Sequence, residues 1–480
     1  MYDLAIIGAG AVGSSIAREL SKYQLKVCVI EKECDVSNGT SKANSGILHG
    51  GYDAKPGTLK AKLNVEGTAL FQQLNNALHF GFNPCGSFVL GFDDEDLHEI
   101  QRLFQNGKKN GVHVEIVDRD FILRKEPHIN PQVKFALYCP NAGIISPWEY
   151  TIAMAENAAD NGVDFILNHL VMDIKRKASY FNICTDKRVI SARFIVNASG
   201  LYSDTIAKML GMDAFTVTPR KGEYLLFDKE IGNLTGSVLF QTPKNGSKGV
   251  LVTPTYHGNI MIGPNAEVID DKTDVSTTQR GLSKVFNIAK RTLPSLDYSK
   301  IITQFSGLRA STIGYDFIIE ESKIPHFINV AGIDSPGLSS APAIAIYVRK
   351  ILEDAGLELK AKATFCPNVS PITRMDQLTI DEKNEMINKN PRYGRIICRC
   401  ESITQGEIVE ALHRPIPATT LDSIKRRVRA GAGRCQGGFC SPKVMEIITD
   451  ELNTSPLEIK KSESRSYILM DRTKNSLEDR

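Results

Sequence analysis

Four of the ten cysteines in this 480-residue chain form two close pairs near the carboxyl terminus. One residue separates Cys398 from Cys400, and after thirty-four further residues Cys435 and Cys440 follow with four residues between them. Thiolates in close pairs are ligands for zinc or for an iron–sulfur cluster. Structural zinc generally takes pairs with two to four intervening residues, and the C-x-C pair fits that geometry less well. The spacing therefore favours a cluster, with zinc as the alternative.

A second group of residues that could bind a cofactor is rich in glycine and lies near the amino terminus. Gly8, Gly10 and Gly13 follow an apolar run over 2–7 and precede a predicted helix over 14–22. Glycines at these positions permit a tight turn, close approach of a pyrophosphate and close helix packing, and the helix N-terminus attracts phosphate. A second apolar run ends at Glu31, which would accept hydrogen bonds from a ribose. The pattern predicts a dinucleotide site and fits both FAD and NAD.

A polar, glycine-dense stretch over 38–51 lies where an elongated cofactor would continue past its pyrophosphate. Here the chain resembles the D-amino-acid-oxidase-like family of FAD oxidoreductases, and the segments 197–204 and 332–342 resemble two later flavin turns of that family. Tyr202 stands where the family usually has Trp. The resemblance favours FAD over NAD, and it implies that a helix after the last turn faces the pyrimidine end of the flavin. The expected cofactor-binding residues are Gly8, Gly10, Ala11, Val12, Gly13, Glu31, Lys32, Thr40, Ser41, Asn44, Ser45, Gly46, Val171, Gly200, Gly332, Gly337, Leu338 and Ser339.

Several polar residues are candidates for the substrate side of the flavin. Arg309 lies in a G-x-R segment that resembles the substrate-carboxylate arginine of the same family, and a guanidinium also suits phosphate. His49, in the flavin loop, has an imidazole that can accept a hydroxyl proton, although a buried structural histidine is the competing interpretation. Lys55, Lys221 and Tyr256 are further candidates for substrate binding.

The four cysteines and the residues between them resemble the BFD-like 2Fe-2S domain, a small helical module. The resemblance implies that all four cysteines bind the cluster, although the second pair is C-x4-C where the stand-alone ferredoxin commonly has C-x2-C. Between the pairs, Thr404 and Glu407 have the spacing of a capping box. Five basic residues without an intervening acid would offset the cluster charge, dock an acidic electron-transfer partner or form a solvated helix face: Lys425, Arg426, Arg427, Arg429 and Arg434.

A cluster combined with a flavin implies a dehydrogenase from which electrons leave singly through iron. The order of the two domains resembles anaerobic glycerol-3-phosphate dehydrogenases, whereas 49–61 and 263–266 resemble L-2-hydroxyglutarate dehydrogenases. We expect a small anionic substrate with a secondary alcohol, sn-glycerol 3-phosphate, to be oxidised to dihydroxyacetone phosphate. The flavin loop lacks an arginine that aerobic glycerol-3-phosphate dehydrogenases carry, so Lys55, Lys221 or Arg309 would bind the phosphate. An L-2-hydroxy-acid dehydrogenase, an amino-acid dehydrogenase and a non-catalytic electron-transfer subunit are the alternatives.

These motifs require an α/β Rossmann-type FAD-binding domain, an inserted antiparallel-sheet α+β substrate domain and a small helical BFD-like domain. Short alternating runs at 222–227, 237–240, 249–253 and 259–262 predict antiparallel strands, and 98–110 and 279–292 predict helices. The expected boundaries are 1–82, 145–214 and 325–362 for the FAD domain, 83–144 and 215–324 for the substrate domain, 363–394 for a linker, 395–455 for the BFD-like domain and 456–480 for a tail.

The overall composition is that of an ordinary globular protein, with 42% hydrophobic residues, 24% charged residues and a net charge of +3. This charge gives no reason to expect a nucleic-acid partner. No apolar run is long enough to span a membrane, and Asp3 ahead of a glycine turn argues against a signal peptide. We expect a cytoplasmic enzyme with an electron-acceptor protein or partner subunits, which would also mediate peripheral contact with the inner face of the membrane. The oligomeric state is left open.

Overall fold

The computed structural model describes residues 1–242, 249–463 and 465–472. The α-helices of this part of the chain are α1 (Ala11–Leu20), α2 (Leu59–Leu78), α3 (Asp94–Lys109), α4 (Arg119–Lys125), α5 (Pro147–Asp160), α6 (Ser203–Lys208), α7 (Gln279–Thr292), α8 (Gly337–Asp354), α9 (Ile380–Lys389), α10 (Gln405–Leu412), α11 (Leu421–Val428) and α12 (Ser441–Leu452). None of these helices is both long and apolar enough to cross a membrane.

The strands are β1 (Tyr2–Ile7), β2 (Val27–Ile30), β3 (Ile47–Leu48), β4 (Phe82–Asn83), β5 (Ser87–Gly91), β6 (Glu115–Asp118), β7 (Phe135–Cys139), β8 (Gly143–Ile145), β9 (Asp164–Ile166), β10 (Val171–Arg176), β11 (Phe181–Thr185), β12 (Val189–Asn197), β13 (Thr218–Phe227), β14 (Val238–Gln241), β15 (Leu251–Pro254), β16 (Ile260–Gly263), β17 (Glu267–Val268), β18 (Ile301–Ser311), β19 (Ile318–Glu321), β20 (Phe327–Ala331), β21 (Ile396–Cys398) and β22 (Ile403–Thr404).

The first sheet carries the glycine turn. Strands β9, β2, β1, β12 and β20 are neighbours in parallel, and the hairpin of β10 and β11 continues the sheet in antiparallel fashion along β12. Helices α1, α5 and α8 bury apolar side chains against it in one core. The predicted Rossmann-type unit is therefore confirmed. Its first helix begins at Ala11 rather than at Ser14, because the extended backbone of Gly10 forms the N-cap.

The second sheet has the order β17, β13, β16, β15, β14, β5, β7 and β6, with β18 on the other side of β13. The four strands predicted from alternating runs are present as β13 to β16. Neighbouring strands are antiparallel except β14 and β5, which pair in parallel. Helix α7 spans the predicted residues, and α3 begins at Asp94, four residues earlier than predicted, because Asp93 caps it. This sheet is the predicted substrate unit.

The carboxyl-terminal module consists of α10, α11 and α12 with the two-stranded β21–β22 ribbon around a core of its own. The capping box of Thr404 and Glu407 is confirmed at the start of α10. Ile459 lies in this core, beyond the residue at which the tail was expected to begin. Residues 464 and 473–480 of the expected tail 456–480 lie outside the described residues, as do 243–248 of the substrate unit. The domain boundaries remain predictions.

The basic run of the module binds acids elsewhere in the chain. Arg427 is fully buried, and its guanidinium donates to both carboxylate oxygens of Asp35 at 2.9 and 3.0 Å, while Arg426 donates to the same carboxylate at 2.8 Å. Arg429 pairs with Glu401 at 2.7 Å. The proposal of a solvated helix face is therefore wrong for these arginines, and so is that of a partner-docking face. The charges of Arg426 and Arg427 are neutralised at the seam between α11 and the residues after β2, and that of Arg429 is neutralised within the module.

The Asp35 contact yields a stability prediction. Replacing Asp35 by Ala leaves the buried Arg426 without a counterion and Arg427 with only the Glu156 carboxylate at 3.8 Å, and we expect the free energy of unfolding to fall by about 3–5 kcal/mol at pH 7. Burial acts to raise the pKa of Asp35, but the guanidiniums of Arg427 and Arg426 outweigh it and hold the pKa below its usual value. The stabilisation is therefore complete above a pH of about 4 and is lost only in stronger acid.

Urea denaturation followed by circular dichroism measures this difference. Asp354→Ala, at an exposed acid at the end of α8, is the matched control and is expected to leave the unfolding midpoint unchanged. A loss below about 1 kcal/mol for Asp35→Ala, within the range of an ordinary exposed pair, would contradict a buried, charge-neutralising seam.

Candidate active site

A large cavity of about 1930 Å³ lies between the two sheets and reaches the carboxyl-terminal module. One wall is built from the glycine turn and the loop over 38–49, and another from β13 and β18 of the second sheet. Residues of α11 and the loop after it close one side. Buried polar atoms without a hydrogen-bond partner among the described residues occur in the lining: Asn38 Nδ2, Asn64 Oδ1, Ser146 Oγ, Trp148 Nε1 and Arg220 Nε. Such atoms indicate a polar ligand.

The glycine turn has the form that a dinucleotide requires. Gly8 has a φ of +105°, and a Cβ on Gly13 would lie 1.9 Å from the Gly8 carbonyl oxygen, so only glycine permits this packing of α1. The Glu31 carboxylate accepts the Ala9 amide at 2.7 Å and the Glu33 amide at 3.0 Å, which leaves lone pairs for ribose hydroxyls. The residues present therefore fit the adenosine and pyrophosphate of a dinucleotide.

Most residues expected to bind cofactor or substrate line this cavity. They are Gly8, Gly10, Ala11, Val12, Glu31, Lys32, Thr40, Ser41, Asn44, Ser45, Gly46, His49, Lys55, Val171, Gly200, Tyr256, Arg309, Gly337 and Leu338. Four others do not line it. Gly13 and Gly332 pack against backbone or side chains of adjoining turns, and Ser339 lies behind His49.

Lys221 is the fourth, and its position corrects the sequence expectation. Its ammonium is buried and donates to the Asp274 carboxylate at 2.8 Å. Successive side chains of a strand point to opposite faces, and in β13 the cavity side is formed by Arg220, Tyr224 and Leu226. The even-numbered side chains of β13 therefore face the site, and the substrate candidate on this strand is Arg220 rather than Lys221.

Arg220 lies directly opposite Arg309, since the two are register partners on the antiparallel strands β13 and β18. Both side chains line the cavity, and neither guanidinium has an ion-pair partner among the described residues. Like charges directly opposite each other destabilise a sheet unless an anion lies between them. The pair is therefore suited to bind a compact anion. Sequence reasoning missed Arg220, although the alternation along β13 was a usable signal.

His49 is held by its backbone and has its ring in the cavity. Its amide donates to Ser339 Oγ at 2.8 Å, and its carbonyl accepts from Asn64 at 3.0 Å and Thr68 at 2.9 Å. On the ring, Nε2 lies 3.3 Å from Ser335 Oγ. An imidazole fixed in this way and hydrogen-bonded to a hydroxyl is in position to accept a proton from a bound alcohol.

The four cysteines of the module come together as two pairs of thiols. Cys400 donates to Cys435 Sγ at 3.6 Å, and a hydrogen bond from Cys440 lowers the pKa of Cys398 to about 6. Among the described residues, no three His, Cys, Asp or Glu side chains have the arrangement of a single-ion site, and the two thiol pairs are close enough to interact electrostatically. Two pairs suit two irons with two thiolates each, and backbone amides near Cys435 lower its pKa further towards the thiolate that iron requires.

A family model described as FAD dependent oxidoreductase (DAO) matches residues 3–351, and one described as BFD-like [2Fe-2S] binding domain matches residues 396–450. The chain is a member of the FAD dependent oxidoreductase family. Its cofactors are FAD and a 2Fe-2S cluster, and the enzyme is an FAD-dependent dehydrogenase. The expectation of FAD over NAD, and of a cluster over zinc, is confirmed.

Individual relatives of this FAD dependent oxidoreductase are informative about substrate. It is 50% identical to a glycerol 3-phosphate dehydrogenase of Caloramator mitchellensis over all 480 residues, which is the full length of both chains. It is 32% identical to an L-2-hydroxyglutarate dehydrogenase of Nematostella vectensis, over 55% of this chain and 62% of that one. Among solved structures, the dithionite-reduced L-alpha-glycerophosphate oxidase of Mycoplasma pneumoniae with FAD bound matches with a TM-score of 0.73 and 29% identity, covering 77% of this chain and 98% of the oxidase.

The thiol pairs lead to a prediction about cluster content. Replacing Cys435 by Ala removes a ligand, and we expect iron and acid-labile sulfide to fall from two each per chain to near zero while FAD is retained. Elemental analysis and the visible spectrum measure the change. Cys366→Ala, at an exposed single cysteine, is the matched control and is expected to keep the full cluster. Zinc without sulfide in the wild-type chain would overturn the assignment.

Proposed function

We propose that this chain oxidises sn-glycerol 3-phosphate to dihydroxyacetone phosphate and passes the electrons on singly. The observation that carries the proposal is the unpaired arginine couple of Arg220 and Arg309 in the cavity that also contains His49. Two guanidiniums match the charge and geometry of a phosphate dianion better than those of one carboxylate. Full-length similarity to the Caloramator mitchellensis dehydrogenase supports the same substrate.

In this proposal different residues bind the phosphate, accept the proton and hold the imidazole. When bound, FAD supplies the hydride acceptor and the cluster accepts electrons one at a time. Arg220 and Arg309 hold the phosphate and so orient the neighbouring secondary alcohol. As the carbon loses its hydrogen as hydride, the hydroxyl proton passes to the imidazole of His49 through the Ser335 hydroxyl that is hydrogen-bonded to its Nε2, and a ketone results. Ser335 and Ser339 keep the imidazole in place through its ring and its amide.

Lys55 and Tyr256 belong to the same proposal as further contacts of the substrate. Both side chains line the cavity. A Cβ on Gly81 would overlap the Tyr256 ring, so the position of this ring requires glycine at residue 81. The helix α8 begins at Gly337 in the cavity wall, and its N-terminus suits the negative charge that a flavin acquires near its carbonyls on reduction.

The carboxyl-terminal module supports a dehydrogenase with an external electron acceptor rather than an oxidase. The Mycoplasma pneumoniae oxidase covers 77% of this chain, so 23% of the chain has no counterpart in the oxidase. We propose an electron-acceptor protein or partner subunit, with any membrane contact made through that partner. None of the ten cysteines forms a disulfide, which supports a cytoplasmic location.

Anaerobic reduction of the flavin tests the substrate. Adding sn-glycerol 3-phosphate to the holoenzyme is expected to bleach the flavin absorbance within the mixing time of a spectrophotometer, and equal concentrations of L-2-hydroxyglutarate or an amino acid are expected to leave it nearly unchanged. L-2-Hydroxyglutarate is the second candidate, because 49–61 and 263–266 resemble its dehydrogenases. Faster bleaching by L-2-hydroxyglutarate would replace the proposed substrate, and no bleaching by any of the three would refute the dehydrogenase mechanism.

A further inference from the structure

The cluster site has an inner and an outer edge. Cys398 and Cys440 are 1% and 3% exposed and belong to the core of the module, whereas Cys400 is exposed and Cys435 is partly exposed. The outer pair therefore brings the cluster to the protein surface. Electrons that reach the cluster can leave the protein at this edge without a further cofactor.

An exposed aromatic ring lies at this outer edge. Phe439 is 85% exposed, and it is the only phenylalanine with an exposed side chain among the described residues. It directly precedes the ligand Cys440 in sequence, so the ring belongs to the cluster loop. A partner that covered the ring would remove its apolar surface from water, which favours association. Aromatic residues are enriched at the centres of protein interfaces.

The surface around the ring is positively charged. Residues 395–445 contain four acids and nine lysines and arginines, but five of these nine (Arg414 and the four basic residues of 425–429) are buried or half-buried, and only the other four are exposed. None of those four acids is exposed, whereas Arg395, Arg399, Arg434 and Lys443 are. Arg434 is bound by Asp228 and Glu230, but Arg399 and Lys443 have no ion pair with any described residue. The next exposed acid along the chain is Glu446, one helical turn beyond Lys443.

We infer that this edge, formed by Arg399, Phe439 and Lys443 around Cys400 and Cys435, docks an acidic one-electron carrier protein. In each transfer the reduced cluster loses one electron and the carrier gains one, so two carriers are reduced per alcohol oxidised. Opposite charges on the partner would raise its association rate by about 10- to 1,000-fold at low salt. The inference requires the cluster but not the identity of the substrate.

An anionic membrane is the other kind of partner that basic residues attract, and the structure favours the protein. Phe439 directly precedes the ligand Cys440 and Arg399 directly precedes the outer ligand Cys400, so contact at this edge shortens the path of the electron to an acceptor. A membrane would give the cluster no acceptor by itself. Phe439 and Ile396 are the large apolar side chains exposed in this segment, which is little apolar area for membrane insertion.

The test measures electron transfer from pre-reduced holoenzyme to two haem proteins of opposite surface charge, the acidic cytochrome b5 and the basic cytochrome c. Reducing the enzyme with dithionite and removing the excess by gel filtration makes the result independent of the proposed substrate. Stopped-flow spectroscopy is expected to show fast reduction of cytochrome b5 that slows at least tenfold as salt is raised, and no such salt dependence for cytochrome c.

Substitutions that reverse a charge or remove the aromatic ring test whether the carrier docks at this edge. Arg399→Glu and Lys443→Glu are each expected to slow the reduction of cytochrome b5 about tenfold at low salt. Phe439→Ser is expected to raise the concentration of cytochrome b5 at which its reduction reaches half of the maximal rate. Lys187→Glu, at an exposed lysine between β11 and β12, is the matched control and is expected to change neither value. Iron content and reduction of a small neutral dye show that each variant keeps its cluster and its internal electron transfer.

Two results would overturn the inference. One is equal reduction of cytochrome b5 by all variants with intact clusters, which would mean that carriers dock elsewhere. The other is sedimentation of the holoenzyme with phosphatidylglycerol vesicles that Arg399→Glu and Phe439→Ser abolish, which would reassign the surface to a membrane.

Discussion

Replacing Arg220 and Arg309 together by glutamine is expected to lower kcat/KM for sn-glycerol 3-phosphate by roughly 1,000-fold or more, and each single replacement by at least about 30-fold. The reason is that each change leaves a phosphate charge without its guanidinium in the cavity between the two sheets. Both side chains belong to strands whose register places them opposite each other, so neither can move to replace the other. The loss is expected mainly in KM, because the guanidiniums bind the phosphate in the ground state as well as in the transition state.

Steady-state kinetics with a dye acceptor measure this effect. Arg124→Gln, at an exposed arginine without an ion pair among the described residues, is the matched control and is expected to behave as the wild type. Arg220→Lys and Arg309→Lys are expected to recover part of the loss, because a lysine keeps the charge but not the bidentate geometry. Wild-type kinetics for the double variant would refute the phosphate site.

Replacing His49 by asparagine is expected to slow flavin reduction by sn-glycerol 3-phosphate by about 100- to 10,000-fold, with little change in substrate affinity. Asparagine keeps a polar side chain but cannot take up the hydroxyl proton near neutral pH. The backbone contacts of His49 with Ser339 and Thr68 do not depend on the ring, so the fold of the loop is expected to persist. Anaerobic stopped-flow spectroscopy measures the rate of flavin reduction. The part of its pH dependence that is due to the imidazole is expected to be absent in the variant.

His79→Asn is the control for this change. His79 is exposed and ends α2 in the left-handed conformation, which asparagine adopts readily. We expect normal flavin reduction in this variant. If His49→Asn were reduced within twofold of the wild-type rate, the proton acceptor would have to be another group, and His49 would be a packing residue beside Phe240.

One ion pair of the carboxyl-terminal module lies between the cavity and the cluster loop. Arg429 lies in the cavity wall and pairs with Glu401, which directly follows the cluster ligand Cys400. Burial acts to raise the pKa of Glu401, but Arg429 and Lys229 outweigh it and hold the pKa below its usual value, so the carboxylate is charged beside the cluster loop. This ion pair connects the cavity wall with the cluster loop inside the module.

The features that the sequence determined are the ones encoded by neighbouring residues. The turn of Gly8, Gly10 and Gly13, the capping box at Thr404 and the pairing of cysteines within short motifs depend on backbone conformation and spacing over a few residues. Such patterns predicted a dinucleotide-binding unit, a cysteine-ligated site and the alternating strands of the second sheet. The preference for FAD and the choice of Arg309 came from the resemblance to the FAD oxidoreductase family, and the structure brings Arg309 and His49 into one cavity.

The tertiary structure alone decided which charges face one another. Arg220 meets Arg309, and Arg427 meets Asp35, across long stretches of chain, because strand register and domain docking bring them together. Lys221 was chosen in place of Arg220 because a shift of one residue along a strand reverses the face on which a side chain lies. The basic run of α11 resembled a free surface because its acids are distant in sequence. Ion pairs between residues distant in sequence depend on how the chain packs, so a local sequence pattern does not predict them.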